Sequence, residues 1–157
     1  FFAIGGKEVC ARVSPTAAGE AGQSMTLAAD LDHMHLIDPE TDQVLYNLSH
    51  RQAEHELLPW CRDWGMPLMA YSPVDRGALV QNDIVVEIAE KHDATPAQVA
   101  LAWVLRNDDV CAIPKASIPE HVRENVRALD LRLDHEDLEL LDEAFPPPRS
   151  PSPLELY

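Results

Sequence analysis

The chain has 157 residues, of which 27 are acidic and 12 are basic, so its formal net charge at pH 7 is −15. A surface of that sign repels nucleic acid and anionic membranes, and no lysine or arginine cluster offsets it, which argues against both as partners. Three widely spaced cysteines, Cys10, Cys61 and Cys111, fit reduced thiols in a cytoplasmic protein better than a disulfide framework.

Strand-like and helix-like segments alternate from residue 43 onward. Short apolar runs predict strands at 43–47, 67–71 and 110–114. Amphipathic spacing and capping signals predict helices between and after them, at 54–64, around 84–89, at 96–105, from 119 to 129 and from 135 to 145. This alternation favours an α/β fold with a parallel sheet and outer helices.

The helix at 96–105 has the clearest signals. Thr95, Pro96 and Gln98 form an N-cap, a proline at the first helical position and the third member of a capping box. The following AQVALAWVL is apolar nearly all round, which predicts burial on more than one side. We also expect Trp60, Trp64 and Trp103 to lie in the core.

Three segments differ in composition. Residues 1–41 have no clear period, residues 42–145 carry the alternating elements, and residues 146–157 form a proline-rich tail that we expect to be extended on the surface. The first residue is not methionine, which is compatible with a fragment. Cys61 and Cys111 are expected to be small buried residues rather than nucleophiles, because no basic neighbour is arranged to lower a thiol pKa.

Polar residues follow two of the predicted strands. Tyr71 and Ser72 stand at the end of the second, Lys115 and Ser117 at the end of the third, and a helix begins near Pro119. Ligands of parallel α/β sheets bind at the carboxyl ends of strands, and a helix N-terminus attracts anions. The pattern suggests a phosphorylated ligand, although a simple turn and a solvated lysine would give the same letters.

Several motifs in register resemble the aldo-keto reductase family. They are DQVLYN at 42–47, ELLPWCRDWGMPLMAYSPVDRGAL at 56–79, TPAQVALAWVL at 95–105 and IPKASIPEHVREN at 113–125. The resemblance implies a partial TIM (β/α)8 barrel of about the last three to four βα units, the coenzyme-binding half. It also implies NADP(H) as coenzyme and hydride transfer between nicotinamide and a small carbonyl substrate. A whole barrel of this class needs about 250 residues.

The resemblance assigns roles at the nicotinamide end of the coenzyme. Gln43 matches the glutamine that binds the carboxamide, and Tyr71 matches the aromatic that stacks on the nicotinamide ring. Ser72 and Val74, with the loop to Gly77, match the segment that holds the pyrophosphate.

The resemblance also assigns the adenine end. Lys115 and Ser117 match the pair beside the adenosine 2′-phosphate, and Glu124 and Asn125 match the residues that hold the adenine. His121 stands where many members carry an arginine, and a neutral imidazole lacks the bidentate fork, so NAD(H) stays open as an alternative coenzyme.

Other departures concern catalysis. The acid tyrosine and its aspartate, lysine and histidine partners belong to the first four strands of the family, and none is found here. The chain is therefore expected to be a truncated form that binds coenzyme at most. Ile118 replaces a polar helix cap, and Gly6-Lys7 with Val13-Ser14 resembles a degenerate fifth βα unit within residues 1–41.

Two further hypotheses remain. An incomplete barrel exposes strand edges and apolar helix faces, which favours a non-catalytic module that forms a homo-oligomer or binds a complementing N-terminal half. Separately, His33 and His35 would share one side of a strand, as metal-binding H-x-H pairs do.

Overall fold

The computed structural model describes residues 2–4, 7–9, 44–151 and 154, and the chain divides into two compact units, 1–34 and 35–157. In the first unit, strand β1 (Phe2–Ile4) pairs antiparallel with strand β2 (Lys7–Val9). The assignment of residues 1–41 to a fifth βα unit stays a prediction.

The second unit contains a parallel three-stranded sheet. Its strands are β3 (Val44–Leu45), β4 (Leu68–Tyr71) and β5 (Val110–Ala112), in the order β3-β4-β5. Leu45 lies opposite Tyr71 in one pair, and Met69 lies opposite Cys111 in the other. The predicted parallel α/β arrangement is confirmed, with each strand shorter than its apolar run.

The two faces of this sheet have different environments. Successive strand residues point to opposite faces, and Leu68 and Ala70 are buried in the core formed with the helices. On the other face, Met69 is 41% exposed and its register partner Cys111 is also exposed. The prediction of a buried Cys111 was wrong, because its side chain lies on the face opposite the core cluster, whereas Cys61 is buried as predicted.

The first helix shows where a periodic pattern misleads. Helix α1 (Leu57–Asp63) follows a 3-10 turn at Gln52–Glu54 and ends before Gly65, whose φ is +60°. Leu57, Leu58 and Cys61 form its buried face. Trp60 and Trp64 are 38% and 50% exposed, with ring centroids 6.3 Å apart, so their assignment to the core was wrong. Their indoles lie off the buried face, where no described helix packs.

The next two helices follow their capping signals. Helix α2 (Asp83–Lys91) begins after Asn82, whose side chain accepts from the amides of Ile84 and Val85. Helix α3 (Pro96–Leu105) has the predicted capping box between Thr95 and Gln98. Seven of its ten residues are buried, including Trp103, which confirms that this helix is covered on more than one side.

The last two helices differ in packing. Helix α4 (Pro119–Arg127) has no fully buried residue, and an apolar stripe along it and just beyond its ends is exposed, formed by Ile118, Val122, Val126 and Leu129. Helix α5 (His135–Ala144) begins at the predicted cap Asp134 and buries Leu141. Described residues 146–151 lie in neither helix nor strand. Among the described residues, no helix has the length and apolar character to cross a membrane.

An ionic cluster joins the end of α2 to the start of α5. The buried Asp137 carboxylate lies 2.8 Å from Lys91 Nζ and 2.6 Å from His92 Nε2, and it accepts from the Asp134 amide at 2.9 Å. Burial opposes ionisation of Asp137, but these hydrogen bonds outweigh it and hold its pKa below the ordinary value. The charged form of Asp137 therefore stabilises the fold.

Asp137→Asn should lower the free energy of unfolding at pH 7 by about 2 kcal/mol, since it removes the charge that Lys91 and His92 contact. A depressed pKa gives stability that is present above the unfolded value of about 3.9 and is lost as pH falls through the folded value. Urea unfolding at pH 7 and below pH 4 should show that the difference in free energy of unfolding between wild type and variant becomes smaller in acid. A difference that does not change with pH would contradict this assignment.

Candidate functional site

The carboxyl ends of the three parallel strands meet at one edge of the sheet. Asn47 follows β3, Ser72 follows β4, and Lys115 follows β5. The amide of Ile113 donates to the carbonyl of Ala70 at 3.2 Å, so the segment leaving β5 stays beside the end of β4. Ligand sites of parallel α/β folds form at this edge.

The loop after β4 has an unusual backbone. Ser72, Asp75 and Arg76 have φ values of 53°, 48° and 51°, and Gly77 has 93°. Left-handed conformations are uncommon outside glycine and cluster at functional sites. The loop is held by bonds from the Asp75 amide to Ser72 O and from the Gly77 amide to Val74 O, both 2.9 Å. Val74 is half-buried against the core.

A buried amide fastens this loop to the end of β3. Asn47 is fully buried, and its Nδ2 donates to Ser72 O at 2.8 Å. Its Oδ1 accepts from the amides of Ser49 and His50 at 2.9 and 3.0 Å. A residue outside the loop therefore fixes the conformation of Ser72. The neighbouring Tyr71, the last residue of β4, is half-buried at the sheet edge.

The segment after β5 presents cationic and polar groups to solvent. Lys115 and Ser117 are exposed. Ile118 precedes α4 in an extended conformation and makes no side-chain capping bond, as its apolar side chain predicted. The Ile118 side chain therefore accepts no hydrogen bond from the first-turn amides of Glu120 and His121, and the positive end of the helix is open to an anion.

The predicted adenine-end residues share one side of α4. His121, Glu124 and Asn125 stand at i, i+3 and i+4, a spacing that puts side chains on one helix face. His121 is exposed, whereas Glu124 and Asn125 are half-buried. Gln98 Nε2 donates to the main-chain carbonyl of Glu124 at 2.9 Å, which links this face to α3.

Tyr46 belongs to a separate, internal network. Its hydroxyl donates to Glu54 Oε1 at 2.8 Å, and the Tyr46 oxygen accepts from Arg106 Nη1 at 3.3 Å and from Asn107 Nδ2 at 3.4 Å. Burial raises the pKa of Tyr46 well above its ordinary value; Arg106 opposes the rise and Glu54 adds to it. A fully buried phenol with these partners holds the fold together.

Sequence reasoning missed the two buried amides, Asn47 and Gln98. The signal for Asn47 was a polar residue at the end of the predicted apolar strand 43–47, and Gln98 was identified only as a member of a helix capping box. Gln43, and the suggested metal pair His33 and His35, lie outside the described residues, so their roles stay predictions.

A possible ligand set among the described residues is already occupied by a lysine. His92, Asp134 and Asp137 have ligand atoms within 4.8 Å of one another. Lys91 Nζ lies 2.9 Å from Asp134 and 2.8 Å from Asp137, so its ammonium pairs with both carboxylates. The cluster is a structural brace between two helices.

Comparisons with known proteins show the family of this chain. The model of the aldo/keto reductase family matches residues 18–145. A methylglyoxal reductase of Escherichia coli, YeaE, is 44% identical over 121 residues, covering 74% of this chain and 43% of the relative. A glyoxal reductase of Bacillus subtilis is 39% identical over 107 residues, covering 68% and 37%. The chain therefore belongs to the aldo/keto reductase family.

Solved structures give the same result. An aldo-keto reductase from Klebsiella pneumoniae in complex with NADPH matches with a TM-score of 0.71 and 42% identity over 73% of this chain and 42% of that one. The thermostable aldo-keto reductase Tm1743 matches with a TM-score of 0.60 and 43% identity over 64% and 38%. The chain thus spans about 40% of the length of the relatives it matches.

Asn47→Ala should release the loop after β4, because Ser72 O loses its side-chain donor. We expect the free energy of unfolding to fall by about 2 kcal/mol. Limited trypsin digestion should cleave faster after Arg76, which is exposed within that loop.

Thr95→Ala is the matched control, since it removes a helix cap elsewhere at a cost of about 1 kcal/mol. Equal acceleration of cleavage at Arg76 in both variants would mean that general destabilisation, and not Asn47, controls the loop.

Proposed function

We propose that the chain is the coenzyme-binding part of an aldo-keto reductase and holds NADP(H) along the carboxyl edge of its sheet. We further propose that its fold is a partial (β/α)8 barrel of about the last three to four βα units. The convergence of three strand ends, with a restrained loop, a lysine and an uncapped helix at one edge, carries the proposal. The NADPH-bound relative from Klebsiella supports the choice of coenzyme.

In this proposal the coenzyme lies along the edge from β3 to α4. Tyr71 stacks on the nicotinamide, with Gln43 on its carboxamide by family resemblance. Ser72, Val74 and the loop to Gly77 hold the pyrophosphate with main-chain groups. A restrained loop suits this role, because it needs no reorganisation when the ligand arrives.

The adenine end decides between NADP(H) and NAD(H). Lys115 and Ser117 contact the 2′-phosphate, and Glu124 and Asn125 bind the adenine. An ammonium acts on a phosphate as a point charge, without the bidentate geometry of arginine. His121 adds charge only when protonated, so we propose that Lys115 supplies most of the preference for NADP(H).

The reaction of the complete family enzyme is hydride transfer between nicotinamide and a carbonyl, and the relatives act, by name, on methylglyoxal and glyoxal. We propose that a small aldehyde or dicarbonyl is the substrate class here too, once a proton donor is supplied. General-acid catalysis needs a donor within hydrogen-bond reach of the carbonyl oxygen, and the buried Tyr46 does not meet that condition. By itself the chain is proposed to bind coenzyme without turnover, in the cytoplasm.

Titration with NADPH and, in parallel, NADH tests the coenzyme site, with quenching of tryptophan fluorescence as the readout. Lys115→Met should raise the Kd for NADPH about tenfold, the loss of one charge-assisted contact, and should change the Kd for NADH less than about threefold. Arg149→Met, which removes one exposed charge from the tail, is the control and should change neither. Folded protein that shows no quenching at millimolar coenzyme would refute the proposal.

The exposed apolar surfaces favour a second candidate, a non-catalytic module that associates with another chain. Met69 is exposed on the sheet face opposite the core, and the α4 stripe runs beside a depression of about 430 Å³ lined by Ser117, Ile118, Val122 and Arg123, among others. Contiguous apolar surface of this kind marks association sites. The occupant would be a second copy or a complementing N-terminal half.

Size-exclusion chromatography with light scattering tests this candidate. If the stripe joins two copies, Val122→Lys combined with Val126→Lys should shift the mass to that of a monomer and keep cooperative unfolding, because both side chains already face solvent. Glu139→Lys on the exposed surface of α5 is the control and should leave the mass unchanged. A wild-type chain that is monomeric at high concentration and unfolds cooperatively would exclude obligate self-association.

A further inference from the structure

Gln98 is a buried amide with two separate duties. Its side chain is only 6% exposed. Oε1 accepts from the Thr95 amide at 2.8 Å, which completes the capping box of α3. Nε2 points the other way and donates to the main-chain carbonyl of Glu124 in α4 at 2.9 Å. One side chain thus ties the start of the most buried helix to the end of the least buried one.

The carbonyl that Gln98 contacts lacks its usual helical partner. Glu124 is one of the last four residues of α4, whose carbonyls have no donor within a regular helix. The amide of Ala128, which would complete an α-helical bond to Glu124, donates instead to Asn125 O at 3.2 Å. Gln98 Nε2 therefore donates to a carbonyl that lacks its regular i+4 amide.

Helix α4 has few other anchors among the described residues. None of its nine residues is fully buried, and Val122 and Val126 face solvent. The buried Ala128 follows the helix. The position of the turn that carries Glu124 and Asn125 consequently depends on the bond from Gln98 far more than it would in a well-packed helix.

We infer that Gln98 is the positioning residue for the adenine end of the coenzyme site. This rests on the proposed function, in which Glu124 and Asn125 bind the adenine. The buried helix α3 provides a rigid support, and the amide of Gln98 fixes the turn of α4 on that support. Gln98 touches no coenzyme atom in this scheme and acts through the main chain of Glu124.

Gln98→Glu separates the two interactions of this side chain, the capping box of α3 and the hydrogen bond to the Glu124 carbonyl. A glutamate at this position keeps the acceptor that the capping box needs, but it loses the donor and turns a carboxylate oxygen toward the Glu124 carbonyl. We expect the Kd for 2′,5′-ADP, a probe of the adenine end alone, to rise about tenfold, the cost of one buried hydrogen bond. Thr95→Ala makes the opposite change, since it weakens the cap and keeps the bond to Glu124, so its Kd should stay within about twofold of wild type.

Hydrogen exchange gives a readout that needs no coenzyme. In Gln98→Glu the amides of α4, residues 120–127, should exchange faster, while those of α2 stay as in wild type; Thr95→Ala should not accelerate α4. Gln98→Met, close in shape and uncharged, covers the case in which a buried carboxylate unfolds the protein, and it should reproduce both effects of Gln98→Glu.

The two proposals fail in different ways. If wild type binds neither NADPH nor 2′,5′-ADP, the proposed function fails, and the exchange of α4 still decides whether Gln98 positions it. If wild type binds 2′,5′-ADP and both Gln98 variants bind it as tightly as wild type does, the positioning role is overturned. The same holds if Thr95→Ala weakens binding as much as the Gln98 variants do.

Discussion

The burial of helix α3 is the constraint on which the rest of the described structure depends. Its sequence leaves no polar face, so the helix is stable only if other elements surround it. The 3-10 turn at Leu79–Gln81, helices α2 and α4, and strand β5 all pack against it. Trp103, in its last turn, is fully buried, and truncating such a side chain typically costs about 3–5 kcal/mol.

Polar groups at both ends of α3 connect it to neighbouring elements by hydrogen bonds and ion pairs. At the start, Gln98 connects it to α4. At the end, Arg106 lies 3.7 Å over the Trp103 ring and contacts Glu54 at 2.8 Å, which in turn binds Arg51. Arg51 continues to Asp142 of α5 at 2.7 Å. A helix that is apolar all round thus makes its polar interactions with other elements at its two ends, where polar atoms remain.

Much of this fold was predictable because its signals are local. Thr95, Asp134 and Gly65 mark helix ends by chemistry that acts within one turn. The errors concern the predicted burial of Trp60, Trp64 and Cys111. Each of these side chains would be buried only if an element distant in sequence packed against it. A periodic pattern identifies the apolar side of a helix or strand, but it does not tell whether another element lies opposite that side.

The same distinction applies to the candidate site. Motif resemblance assigned coenzyme-binding roles to Ser72, Lys115 and Glu124, because a ligand interacts with particular residue types. It did not identify Asn47, which holds Ser72, or the second duty of Gln98, because main-chain carbonyls accept from any donor that reaches them. Such supports depend on which loops are neighbours, and that is known only after the sheet order is known.

The acidic surface and an anionic coenzyme are compatible because electrostatic effects act over different distances. Residues 115–132 carry four basic side chains, Lys115, Arg123, Arg127 and Arg132, and three acidic ones, in a chain whose net charge is −15. At physiological ionic strength exposed charges are screened beyond about 8 Å, so most of the carboxylates act weakly on a bound phosphate. In the proposed complex, Lys115 and the first-turn amides of α4 act on the phosphate at contact distance and are hardly screened. The local arrangement therefore governs whether the anion binds, and the distant carboxylates mainly slow its approach.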